Sequence, residues 1–166
     1  MDIFAHFLWT NLAFLKADDS TRLWASTLSV APDALAFGPE LVRSMVVRQS
    51  RKWRKVDEST FDDLNKTIPR WVFRIYDITH SIPIWLVVCA IWWWLAGAFP
   101  LIYLGWLGHI LVDIPTHSKK FFPTPFLWPL FDYKFDGISW GVRWFMWANY
   151  GSLATAYAIL LVTKLV

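Results

Sequence analysis

The chain has 166 residues, of which 56% are apolar and 17% are charged, and its formal net charge is +3. This length suffices for one domain, and the apolar share exceeds the roughly 45–50% of an ordinary soluble domain. The modest charge gives no reason to expect a nucleic-acid partner, and a single cysteine, Cys89, excludes an internal disulfide. The distribution of the apolar residues along the chain is more informative than their number.

Two short apolar segments open the chain, at residues 3–15 and 21–31, and a polar turn separates them. The second segment is expected to stop at Pro32. A helix of about 14 residues covers only roughly 21 Å, so both segments are short for complete membrane spans. Asp2 and the lack of a basic first region argue against a cleavable signal peptide, so we expect the chain to stay in the membrane.

The region at about residues 40–75 has a different character, because six basic residues lie between Arg43 and Lys55 with apolar residues interleaved. This pattern predicts a basic amphipathic segment on an anionic membrane surface. A solvated helix face is the alternative interpretation. Residues 57–66 are mostly polar and are predicted to form a loop.

A helical hairpin follows, because residues 81–108 contain no charge and no histidine, and about 20 apolar residues suffice to cross a bilayer. Its helices are predicted at about 79–95 and 101–114, followed by an irregular proline-rich loop at 118–137 and a last helix at 139–162. The expected fold class is all-α: a polytopic membrane protein with two helical hairpins and a C-terminal transmembrane helix. Residues 1–166 would form one membrane-embedded domain.

The second helix of this hairpin carries His109 and Asp113, four residues apart and therefore on one helix face. By this spacing a helix offers two ligands to one metal ion, and histidine with carboxylate suits zinc, or manganese or iron. His117 continues the four-residue step, although Pro115 is expected to bend or end the helix before it.

The hairpins should bring the other histidines to the same place. An antiparallel pair with its turn near residue 98 places His80 beside His117, and the first hairpin likewise places His6 beside Asp33. Polar groups at membrane depth are costly and are candidates for function. A single histidine on an apolar face is more often a satisfied residue at the membrane interface than a metal ligand, but the joint pattern favours a divalent metal site.

Three motifs around the apolar hairpin resemble the bacterial inner-membrane, metal-dependent hydrolase family, which is grouped with zinc-dependent phospholipase C and single-strand nucleases. They are Thr79-His80-Ser81, His109-x-x-x-Asp113-x-x-Thr116 and the segment Phe126–Leu130. Where the family often has a histidine four residues before the threonine of the threonine-histidine pair, this chain has Ile75, and Asp77 is expected to substitute. The resemblance implies hydrolysis by a metal-activated water.

These observations predict a membrane-embedded hydrolase that cleaves a phosphoester of a lipid or lipid-linked substrate. A non-catalytic membrane protein that binds anionic lipid or a partner is the alternative. The expected metal ligands are His6, His80, His109, Asp113 and His117; Asp33 and Asp77 are the expected catalytic acids; and Lys119 and Lys120 are expected to hold the substrate head group.

The placement of Lys and Arg predicts the orientation in the membrane. If the turns near residues 16–22 and 97–100 lie on one side with the C-terminus, thirteen of the sixteen Lys and Arg residues lie on the other side. Lys and Arg in short loops mark the cytoplasmic face. The family resemblance implies the bacterial inner membrane, and the placement of Lys and Arg predicts that the histidine site faces its cytoplasmic leaflet.

Overall fold

The computed structural model describes residues 1–46 and 68–163, and these residues form seven helices and no strand. The all-α prediction is therefore confirmed for the described part of the chain. Most of the predicted basic surface segment, residues 47–67, lies outside the described residues. The helices are α1 (Ile3–Ala13), α2 (Asp19–Leu28), α3 (Ala31–Val46), α4 (Arg70–Thr79), α5 (Ile82–Ala96), α6 (Tyr103–Thr116) and α7 (Arg143–Thr163).

The boundary between α2 and α3 differs from the prediction. Pro32 was expected to end the second apolar segment, but α2 ends at Leu28 and Pro32 lies in the first turn of α3. Proline is tolerated there because the first backbone N–H groups of a helix have no partner within the helix. Asp33 also lies in this first turn, where the helix dipole favours a negative charge.

The predicted helix at 79–95 begins later than expected, because the chain bends by 59° between α4 and α5. The Ser81 hydroxyl caps α5 by accepting a hydrogen bond from the backbone N–H of Ile84 at 3.1 Å, and Pro83 lies in the first turn. Gly97 ends α5 with a φ of +68°, a left-handed conformation that favours glycine. The bend leaves His80 at the corner, outside both helices.

The helices pack around a polar centre. Helix α1 contacts α2, α6 and α7, while α3 packs on α4 and α5 packs on α6. The buried apolar residues form three small clusters around this centre, containing Val72, Leu153 and Ile110 respectively. Most of the other large, fully buried side chains are polar, and they include His6, His80 and Asp113. The apolar clusters therefore enclose the histidines, and the histidines occupy the middle of the fold.

Helices α5 and α7 carry a wide apolar surface. Three consecutive tryptophans, residues 92–94, are 44%, 60% and 83% exposed on α5, and Trp147 is 79% exposed on α7. Such a surface marks contact with lipid or with another protein. Among the described residues, α7 is long and apolar enough to cross a membrane, and α4 with α5 would be a second span if the bent pair is one broken span. The two complete hairpins remain a prediction.

Replacing Gly105 with alanine should destabilise the fold. An added Cβ would lie 2.0 Å from the carbonyl oxygen of Ala25, so α6 would have to move away from the backbone of α2. Overpacking of this kind costs about 1–3 kcal/mol of the free energy of unfolding. Gly108→Ala on the same helix is the matched control, since its Cβ meets nothing within 4 Å. Denaturant unfolding followed by circular dichroism would contradict this packing if the two variants were equally stable.

Candidate metal centre

Five separate parts of the chain supply the polar centre. His6 comes from α1, Asp33 from the start of α3, and His80 from the corner between α4 and α5. Helix α6 supplies both His109 and Asp113, and His117 follows its last residue. Each of these six side chains is at least nine-tenths buried. The predicted convergence of all four histidines at one place is therefore found in the structure.

The carboxylate of Asp113 lies at the middle of the cluster. Its Oδ1 atom is 2.9 Å from His6 Nε2 and 3.8 Å from His117 Nε2. Its Oδ2 atom is 3.2 Å from His109 Nε2 and 3.6 Å from His80 Nε2. The two oxygens thus divide the four imidazoles into two pairs, and Asp113 lies between them.

A second carboxylate completes one of these pairs. Asp33 Oδ1 lies 3.4 Å from His80 Nε2 and 4.0 Å from His109 Nε2, and these two Nε2 atoms are 2.9 Å apart. One donor atom from each of His6, Asp33, His109 and Asp113 lies within 4.8 Å of the others. Two imidazoles and two carboxylates at this separation are a suitable ligand set for a divalent ion.

The tautomers of two histidines favour metal binding. His80 Nδ1 is 3.0 Å from the carbonyl oxygen of Tyr76, and His117 Nδ1 is 2.7 Å from that of Phe122. Because a carbonyl oxygen only accepts hydrogen bonds, each Nδ1 carries the proton and donates. The Nε2 atoms of His80 and His117, 3.6 and 3.8 Å from the Asp113 oxygens, are then the ring atoms left to bind a metal. A backbone carbonyl behind a ligating histidine is the usual arrangement in metal sites.

The protonation states agree with this assignment at three residues outside the candidate spanning helices. Burial lowers the pKa of His6 and of His117 to about 4, so both imidazoles are neutral near pH 7. Burial alone would raise the pKa of Asp33, but the hydrogen bond with His80 and the neighbouring imidazoles lower it to about 2. Neutral imidazole and ionised carboxylate are the forms that ligate metals.

Buried atoms without partners provide an independent test of whether a cation fits. Within the described residues, Asp113 Oδ2 and His109 Nδ1 are buried and have no hydrogen-bond partner. The Oδ1 atom of the same carboxylate is paired with a cation, the amino group of Met1, which also lies 3.2 Å from His117 Nε2. An unpaired buried carboxylate oxygen is costly, and a divalent ion beside Oδ2 would remove that cost.

Asp77 and the two lysines lie apart from this cluster in the described structure. Asp77 is half-buried on α4, and the charged or titratable groups that act on it are Lys134, Asp132 and His80. Successive residues of a helix point about 100° apart. On α4 it is therefore Tyr76, the residue before Asp77, that points towards the cluster. Lys119 and Lys120 are exposed, and no contact within the described residues joins their side chains to the histidines.

Tyr76 belongs to the site although the sequence analysis assigned it no role. Its hydroxyl donates to the carbonyl oxygen of Phe122 at 2.9 Å and lies 3.0 Å from His117 Nδ1. Its ring stacks on the imidazole of His80 with a centroid separation of 3.8 Å. Tyr76 therefore orients two candidate ligands, and its position one helical turn before His80 is the sequence signal for this role.

A cavity of about 530 Å³ borders the cluster. Asp33 and His117 lie in its wall and connect it to the metal centre. The apolar part of the wall comes from α1, from α3 and from the segment after α6, and consists of Met1, Ile3, Phe4, Phe37, Leu41, Phe121, Phe122 and Trp140. The cluster is thus adjacent to an apolar space.

Comparison of the chain with models of known protein families, with curated proteins and with solved structures finds no match. The family resemblance of the sequence motifs therefore stays an expectation, and the geometry of the cluster carries the functional argument.

We expect the purified protein to bind one or two divalent ions per chain and to lose most of them in His109→Ala and Asp113→Asn. Both changes remove a donor from the buried set without adding one. Elemental analysis after dialysis against a zinc-containing buffer measures the number of metal ions per chain. Asp77→Asn is the matched control and should keep the metal, since Asp77 is not in the cluster. Equal metal in the wild type and the two ligand variants would contradict the assignment.

Tyr76→Phe should weaken zinc binding by about 10- to 100-fold, as is usual when a group that orients a ligating histidine is removed. Competition with a chromophoric chelator measures the affinity. Tyr150→Phe offers a control, because that hydroxyl donates to Asp2 Oδ1 at 2.7 Å and contacts no histidine of the cluster. An unchanged affinity in Tyr76→Phe would assign the tyrosine a packing role only.

Proposed function

We propose that the protein is a membrane-embedded, metal-dependent hydrolase that cleaves a phosphoester of a lipid or lipid-linked substrate. One observation carries this proposal: four histidine Nε2 atoms surround the buried Asp113 carboxylate, beside an apolar cavity that reaches Asp33 and His117. A metal centre that only stabilised the fold would have no need of such a cavity.

Zinc is the divalent ion that best suits imidazole and carboxylate donors, with manganese and iron as further candidates. His80, His109 and Asp113 would hold it on the Oδ2 side of that carboxylate. A second ion on the Oδ1 side, beside His6 and His117, would have to displace the amino group of Met1. When bound, such an ion lowers the pKa of a coordinated water and polarises a phosphoryl oxygen.

Residues other than the metal ligands would also contribute to hydrolysis. Asp33 borders both the histidines and the cavity, so its carboxylate can accept a proton from a water held between the two. Asp77 lies outside the cluster, which favours Asp33 as the base. Tyr76 keeps the rings of His80 and His117 in place, and Lys119 and Lys120 would attract an anionic head group from the surface.

The exposed apolar surfaces of α5 and α7 support a location in the membrane. The distribution of Lys and Arg favours the bacterial inner membrane with the site towards the cytoplasmic leaflet. The same surfaces, together with the basic residues from Arg43 to Lys55, also fit the alternative of a non-catalytic membrane protein that binds anionic lipid or a partner. Turnover distinguishes the two functions.

Hydrolysis should depend on metal and on Asp113. Protein stripped with EDTA is expected to be inactive towards phospholipids and prenyl phosphates in mixed micelles, and to recover phosphate or phosphoalcohol release when zinc is restored. Asp113→Asn should stay at background after the same treatment. Asp132→Asn, which alters an acid that is 92% exposed, should behave as the wild type. Metal-loaded wild type without turnover on any phosphoester would favour the binding alternative.

Cysteine labelling tests the orientation. Single cysteines replace Lys120, on the side of the site, and Val162, which is 83% exposed near the end of α7, in a Cys89→Ala background. An impermeant thiol reagent added to spheroplasts should label position 162 and leave position 120 unlabelled until the membrane is opened. Labelling of position 120 from outside would reverse the orientation.

A further inference from the structure

The volume and the lining of the cavity beside the metal centre indicate part of its ligand. We infer that the cavity holds a single hydrocarbon chain of the substrate, with the phosphoester beside Asp33 and His117. This inference rests on the proposed function and narrows it to substrates that place one chain inside the protein.

The wall of the cavity has a polar part and an apolar part. Asp33 and His117 belong to the metal centre, where a bound cation would attract an anionic group. Asp2 also lines the cavity, and its Oδ1 atom accepts hydrogen bonds from the backbone N–H of Ala5 and the hydroxyl of Tyr150. Most of the remaining wall is apolar and includes Phe37, Leu41 and Trp140. A ligand that suits both parts is an amphiphile with an anionic head and an apolar tail.

The size of the cavity favours one chain. A dry apolar cavity of about 150 Å³ holds one benzene molecule of six carbons. By this scale the 530 Å³ of the cavity accommodates on the order of 16 to 20 carbons. This is the length of one acyl or prenyl chain, and the two chains of a diacyl lipid would not enter together.

The rim of the cavity gives the chain a route from the bilayer. Phe4 is 75% exposed on α1 and Leu41 is 48% exposed on α3, and both line the cavity. Val42 and Met45 continue the apolar surface of α3 and are 61% and 59% exposed. A chain can therefore leave the lipid phase along the apolar side chains of α3 and enter the cavity beside the metal centre.

Leu41 provides the test, because it lines the cavity and is not one of the candidate metal ligands. Leu41→Trp should shorten the space for the tail, and Leu41→Ala should lengthen it. Leu35→Trp is the matched control on the same helix, since Leu35 is 57% exposed and is not part of the cavity wall.

The experiment measures binding of n-alkylphosphonates with 4, 8, 12 and 16 carbons to the full-length, zinc-loaded protein in amphipol, by calorimetry. These compounds are not hydrolysed, so the measurement does not depend on turnover. In the wild type, Kd should fall by about threefold to fourfold for each added methylene until the cavity is full. In Leu41→Trp, the 12- and 16-carbon compounds should bind at least about tenfold more weakly, with the 4-carbon compound unchanged.

Two results would overturn the inference. One is the same dependence on chain length in the wild type, Leu41→Trp and Leu41→Ala; the other is an equal loss in Leu35→Trp, which would place the chain on the outer surface. A parallel series of n-alkanols, which lack the anionic group, tests the inference about the hydrocarbon chain separately from the proposed function. Alkanol binding that is sensitive to Leu41, with no binding of the 4-carbon phosphonate, would support the cavity and contradict phosphoester recognition by the metal centre.

Discussion

The fold depends on how the buried carboxylate of Asp113 is compensated. This side chain is fully buried, and an isolated ionised carboxylate in a protein interior costs several kcal/mol. Four imidazoles from α1, the α4–α5 corner, α6 and the segment after α6 surround it, all with Nε2 within 3.8 Å of an oxygen. Because these groups come from distant parts of the chain, satisfying one charge fixes the relative positions of most of the helices.

The apolar clusters are small and lie around this centre. Those at Val72, Leu153 and Ile110 each join a few helices, and none extends through the whole described structure. The free energy of folding would then be coupled to the free energy of metal binding, because the candidate ligands come together only in the folded chain. The helix ends follow the same requirement: the bend at His80 and the early start of α3 at Ala31 each bring a ligand inward.

The surroundings of the cluster agree with the proposed lipid-linked substrate. The centre itself is buried and polar, the cavity beside it is mostly apolar, and the outer faces of α5 and α7 are apolar as well. A phosphoester attached to a hydrocarbon chain matches this sequence of environments from the inside to the outside. A free, water-soluble phosphoester would interact with the polar centre only, and not with the apolar cavity or the apolar outer faces.

Periodicity and spacing along the chain determined the helical class, the hairpin of α5 and α6, and the pairing of His109 with Asp113, because helix geometry is local. Counting residues from the turns placed His80 at the same end of the hairpin as His117, since antiparallel helices have equal rise. In the structure the histidine that His80 contacts is His109, at 2.9 Å between the Nε2 atoms. Only the tertiary structure decided that Asp33 joins His80 and that Asp77 does not, because a helix start and a 59° bend set those directions. The role of Tyr76 likewise required three dimensions, as its partner, the carbonyl of Phe122, belongs to an irregular segment whose path no local pattern specifies.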